Sequence, residues 1–165
     1  MIINYIHKVA WFFGLVLLQV VILNNLHIAG YAPPFFYIYF ILKFDTSVSR
    51  NELMIWGFLI GLAVDVFSNT PGMNAASTVF LAFVRPLLLR LFMSRDNLDN
   101  ISPSMRSMGT GAFVKFLIAS LFIHHTMLLT IELFSFTSML SLLLSIVFSM
   151  LLTFTFIMAV EGIKK

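Results

Sequence analysis

Residues 49–75 read SRNELMIWGFLIGLAVDVFSNTPGMNA, and this stretch decides the fold. From Leu53 to Phe67 every residue is apolar except Gly57, Gly61 and one carboxylate, Asp65. In front of the run, Ser49-Arg50-Asn51-Glu52 has the spacing of a capping box, a helix-start signature. Behind it, Ser68 to Asn74 contains Pro71-Gly72, a dipeptide that marks a turn. Ala75 to Met93 is then apolar again. Two apolar helices joined by a tight polar turn suit a bilayer, which asks for about 20 apolar residues per crossing.

The rest of the chain repeats this pattern. Of its 165 residues 60% are hydrophobic and 10% charged, with a mean hydropathy of +1.00. Soluble domains carry about 25% charged residues, and disorder needs low hydrophobicity with high charge; both classes are excluded. Without cysteine there are no disulfides, thiolate metal sites or cysteine nucleophiles. The net charge of +3 is scattered, which argues against nucleic acid as a partner.

Six apolar runs are legible: Val9–Leu23, Ala32 to about Phe44, Leu53–Phe67, Ala75–Met93, about Ala112–Leu133 and about Ser138–Val160. The expected fold is an all-α, single-domain bundle of six transmembrane helices over residues 1–165. Lys8, Lys43, Arg50, Arg90, Arg95, Arg106, Lys115, Lys164 and Lys165 all fall on one side of it, and only Arg85 lies inside a span. By the positive-inside rule that side is cytoplasmic, with both termini. The first span is expected to be retained, because His27 occupies the position where signal cleavage wants a small side chain. Spans two and three are short, but a re-entrant hairpin would hold Lys43, Asp45, Arg50 and Glu52 at mid-membrane. Each charge there costs about 2.5–3.5 kcal/mol or more, so the tip should reach cytoplasmic water. Ser94 to Gly111 reads as a cytoplasmic loop too short to fold alone.

Several polar residues stand inside the spans. Gly57, Gly61 and Asp65, four apart, share one helical stripe, where glycines allow close approach of another helix. The stripe reads first as packing closed by a satisfied carboxylate; ligand, proton path or partner contact is the functional alternative. Arg85, followed by Pro86, is the obvious counter-ion for Asp65 at an axial offset of about 10–12 Å, or else bonds carbonyls freed by the proline. His124 and His125 point about 100° apart and suit no shared metal; one buried and one outward imidazole is the expectation. Glu132 should reach water at the external end. Thr137, Ser141, Ser145, Ser149 and Thr153 form a small polar stripe expected to be a helix–helix seam. Nucleophile elbow, HExxH and phosphate loop are all missing, so no reaction, metal or cofactor is expected.

At residues 30–90 the chain resembles the rod shape-determining protein MreD family of bacteria. The carriers are Pro33-Pro34 opening a short span, Gly57, Gly61-Leu62-Ala63-Val64-Asp65, and Ser68-Asn69-Thr70-Pro71-Gly72-Met73-Asn74-Ala75. Arg85-Pro86 is not part of the family's usual pattern. The resemblance implies a non-catalytic scaffold of the cell-elongation machinery in the inner (cytoplasmic) membrane, serving cell shape and lateral peptidoglycan synthesis. It implies an MreC-like single-pass protein as partner, alongside MreB, RodA and a class B penicillin-binding protein. The family is also similar in fold to the substrate-binding subunits of energy-coupling-factor vitamin transporters. By that analogy the stripe of Gly57, Gly61 and Asp65 would border a central cavity or docking groove. A vitamin-transporter subunit is therefore the alternative function, weakened by short, nearly uncharged external loops.

Overall fold

A computed structural model of the chain describes residues 2–25, 33–93, 101–132 and 139–163. All regular structure among them is helical. Helix α1 (Ile2–Leu17) runs on into a π-helical turn, Leu18–Ile22, and a 3-10 turn, Leu23–Asn25. A 3-10 turn, Phe36–Ile38, leads into the short α2 (Tyr39–Leu42). Then come α3 (Arg50–Ser68), α4 (Met73–Phe92), the single turn α5 (Met105–Met108), α6 (Thr110–Glu132) and α7 (Met139–Ile163). Five stretches are long and apolar enough to cross a membrane: Ile6–Asn25, Arg50–Ser68, Met73–Phe92, Thr110–Ile131 and Leu143–Ile163. Their outer faces carry exposed apolar side chains such as Leu62, Val66, Leu91 and Leu151, as lipid-facing surfaces must. The chain is a multi-pass membrane protein.

The second apolar run departs from the expectation of a sixth spanning helix. Residues 33–35 are extended and only Phe36–Leu42 is helical. Pro33 and Pro34 have no N–H and cannot enter a helix interior, so the helix starts late. Every residue from Phe35 to Leu42 is buried, so this segment does not face lipid. It touches α1, α3, α4 and α7. Around it the long helices follow one another in contact, α1 on α3, α3 on α4, α4 on α6 and α6 on α7. The segment is the bundle's core. Span three, expected to be short, is a full 19 residues.

The most extensive pairing is α3 on α4, and its cause is the glycine stripe. A Cβ built on Gly61 would lie 2.5 Å from the Ala75 Cα and 2.6 Å from its backbone nitrogen. One on Gly57 would lie 3.1 Å from the Thr78 carbonyl oxygen. Backbone meets backbone there. Between the two helices, Asn69 takes a left-handed φ of 55° and Gly72 one of 81°, which gives the tight turn that Pro71-Gly72 announced.

Helix α3 starts at Ser49, whose hydroxyl accepts the Glu52 amide at 3.2 Å. Only that half of the expected capping box forms, since the Glu52 carboxylate lies 3.5 Å from Lys8 Nζ instead. A full reciprocal box appears at Ser104 and Ser107, in the loop expected to lack structure. Lys8, Lys43, Glu52 and Glu161 thereby gather at one end of the bundle, where Lys43 Nζ is 2.9 Å from Glu161 Oε1. Asn24, Ser68 and Thr70 gather at the other.

Gly61→Ala should therefore destabilise the bundle by at least about 1–3 kcal/mol, the cost of overpacking a tight contact. Gly14→Ala, which meets nothing within 4 Å, should be neutral or stabilising by about 0.4–1 kcal/mol. Thermal unfolding of both variants in detergent checks the contrast; equal melting temperatures would refute the packing assignment.

Candidate functional site

The polar groups inside the bundle fall into two networks, one at each end of the buried segment. At the Asn24 end the central residue is Asp65. Its Oδ1 accepts the Thr70 hydroxyl at 2.9 Å, the Asn74 amide at 3.0 Å and Asn74 Nδ2 at 2.9 Å. Its Oδ2 accepts the Ala75 amide at 2.9 Å. The carboxylate thus caps the N-terminus of α4 from the last turn of α3, where the helix dipole favours negative charge.

From Asp65 the hydrogen bonds have a fixed direction. Because Asn74 donates Nδ2 to Asp65, its Oδ1 is left to accept the Tyr37 hydroxyl at 2.8 Å. The Thr78 hydroxyl donates to the Asn74 carbonyl at 2.6 Å. Tyr37 has then given its only proton, so its oxygen accepts from His124 Nε2 at 3.0 Å. That assigns His124 the Nε2-protonated tautomer and leaves its buried Nδ1 without a hydrogen-bond partner among the described residues. One chain of bonds joins α3, α4, the core segment and α6.

The remaining polar residues serve the backbone of residues 33–44. Gln19, turned inward by the π-helical turn, donates to the Pro34 carbonyl at 2.9 Å and accepts the Tyr37 amide at 3.3 Å. Ser149 donates to the Pro33 carbonyl at 2.6 Å, and Thr153 accepts the Phe35 amide at 2.9 Å. Arg85 donates to the carbonyls of Leu42 and Phe44, at the C-terminal end of α2 where cations are favoured. Ser102 donates to the Lys43 carbonyl at 2.6 Å. Glu161 receives Lys43, the Tyr39 hydroxyl and the Met105 amide, which ties α7 and the 101–108 loop to the same end.

Several sequence expectations change here. Arg85 is 2% exposed and engages carbonyls of the core segment, not the Ala82 carbonyl that Pro86 frees. It shares no partner with Asp65, and the carboxylate whose field reaches it is Asp45. The expected Asp65–Arg85 pair is replaced by two separate sites, because each ion finds backbone partners closer at hand. The stripe of Gly57, Gly61 and Asp65 borders no groove, since α4 fills it. Both histidines are fully buried, where one was expected outward. Helix α6 is flanked by α4 and α7, so side chains 100° apart both point inward; His125 Nε2 lies 3.2 Å from the Thr153 hydroxyl. In the polar stripe of α7, Ser149 and Thr153 meet extended backbone and not another helix, and Ser145 is half-buried. Thr137 and the side chains of Ser141 and Glu132 lie outside the described residues.

Sequence reading missed Tyr37, Gln19 and Glu161 as network members. The signal available was polarity inside apolar runs, which Gln19 and Glu161 carry. A cavity of about 380 Å³ opens beside the Asp65 network, bordered by Asn24, Asn25, Ser68, Thr70 and Asn74 with Phe35 at one wall. Its polar groups are neutral amides and hydroxyls, suited to hydrogen-bonding an uncharged group. Among the described residues no three His, Asp or Glu side chains converge as a metal site would require. No protein-family model matches the chain, and no characterised protein or solved structure matches it either.

Asp65→Ala and Arg85→Ala should each destabilise by about 3 kcal/mol or more, since each strands several buried hydrogen-bonding groups. With no shared partner, the double variant should equal the sum of the singles within about 0.5 kcal/mol. Denaturant unfolding in mixed micelles measures this; equal losses in single and double variants would mean the two residues pair after all.

Proposed function

We propose that this chain is a non-catalytic membrane scaffold of the bacterial cell-elongation complex, in the cytoplasmic membrane and with the Lys8 end inward. The observation that carries the reading is the ordered set Pro33-Pro34, Gly57, Gly61 to Asp65 and Ser68 to Ala75, which resembles the MreD family. Those residues share one physical task here. Pro33 and Pro34 open the core segment, the glycines seat α4 on α3, and Asp65 with Asn74 locks the turn between them. Such a rigid bundle offers a partner its surface and not a reactive centre. Its mechanism is helix packing against an MreC-like single-pass protein, with MreB, RodA and a class B penicillin-binding protein as further members of the assembly. Lys43 to Glu52 forms the short charged loop offered to the cytoplasm.

A second reading, the substrate-binding subunit of a vitamin transporter, is favoured by the cavity beside Asn24, Thr70 and Asn74. It is a single compact cavity of about 380 Å³ with neutral lining, within the usual span of small-molecule sites, roughly 300–1,000 Å³.

Depletion in a rod-shaped host separates the two. The scaffold reading expects cells that round up while vitamin uptake stays unchanged, and co-purification with an MreC-like protein. Normal cell shape with loss of uptake of one vitamin overturns it in favour of the transporter.

A further inference from the structure

A second cavity, of about 470 Å³, lies at the opposite end from the Asp65 network, between the start of α1 and the end of the core segment. Its charged lining is Lys8, Lys43 and Asp45, and its apolar wall is Trp11, Phe40 and Phe44. Neither network described above occupies it.

The charges point in both directions. Lys8 Nζ stands 4.9 Å above the Phe44 ring and 3.5 Å from Glu52, and Lys43 Nζ is bound to Glu161. An ammonium has three donors, so a carboxylate partner leaves it able to receive a phosphate oxygen. Ser102 has already given its proton to the Lys43 carbonyl, so the lysines are the donors. The local cations Lys8, Lys43 and Arg85 are matched by Asp45, Glu52 and Glu161. A site balanced in this way gains little from a purely anionic ligand. It suits a zwitterion, with phosphate toward the lysines and a cation toward Asp45.

The surroundings select a lipid. Trp11 is 38% exposed at the cavity's apolar wall, and tryptophan is enriched at the level of lipid headgroups. Beyond it α1 shows Phe13, Leu17 and Val21 at 59%, 60% and 62% exposure. From Phe13 to Val21 the helix rises about 12 Å, close to one leaflet of a ~30 Å hydrocarbon core. We infer that the cavity bounded by Lys8, Lys43, Asp45 and Trp11 binds the phosphoethanolamine headgroup of a membrane phospholipid, whose acyl chains lie along the exposed face of α1. This inference is independent of the scaffold reading.

Native mass spectrometry of the full chain, released from neutral detergent, tests it with phosphatidylethanolamine, phosphatidylglycerol and inorganic phosphate offered separately. One phosphatidylethanolamine should be retained about tenfold more tightly than phosphatidylglycerol, and Lys8→Gln should weaken it about tenfold, the worth of one charge-assisted hydrogen bond. Lys8→Arg should restore retention. Asp45→Asn should reverse the preference toward phosphatidylglycerol, a change of selectivity that misfolding does not produce. Equal retention of the two lipids, an unaltered preference in Asp45→Asn, or displacement of lipid by inorganic phosphate at equal concentration would each overturn the assignment. Should Asp45→Asn fail to fold, the comparison of Lys8→Gln with Lys8→Arg decides: retention equal in both overturns it.

Discussion

A backbone that is not helical has to satisfy its N–H and C=O groups from somewhere, and inside a bilayer water is not available. The segment from Pro33 to Phe44 imposes that constraint on the whole molecule. It is extended for three residues and helical for seven, so both of its ends leave free peptide groups. Gln19, Ser149 and Thr153 answer them at one end, and Arg85 and Ser102 at the other. An unmatched buried peptide group costs about 1–3 kcal/mol, so these side chains hold the core in place together. The polar residues scattered through the spans have one common purpose: they complete a strand of chain that cannot complete itself.

The same logic explains why the bundle needs a buried arginine. The last carbonyls of α2 carry the negative end of a helix dipole, and a guanidinium presents several donors in a fixed plane. Arg85 reaches two of these carbonyls from α4. At the opposite end of α4, Asp65 does the converse for free amides, taking two backbone N–H groups and the Asn74 side chain. Helix α4 therefore links both ends of the core: its first turn is held by an anion, and its own cation holds the segment beside it. A functional reading that pairs the two ions would miss this division of labour.

Rigidity at the centre contrasts with what lies at the two ends. The glycine contacts of α3 on α4 leave no room for sliding, while the cavities sit at the margins, one with neutral amides and hydroxyls, the other with opposed charges. Binding, whether of a lipid or of another protein's helix, is thus placed where the protein meets headgroups and other membrane components. The interior remains a packed support.

By itself the sequence determined the membrane class, the boundaries of the long helices and the gathering of Lys8, Lys43 and Glu52 at one end, because hydropathy and charge act locally and need no partner. It also announced the α3–α4 hairpin, since Pro71-Gly72 and the Gly57, Gly61 stripe state their geometry in the residues themselves. Tertiary structure alone decided the rest. A run of apolar residues looks the same whether lipid or protein surrounds it, so burial of Phe35 to Leu42 on every side was not written in their composition. Nor were the partners of Asp65, Arg85, His124 and His125: a buried ion or imidazole takes the nearest unmatched group, and which group is nearest depends on how the helices are arranged around the core.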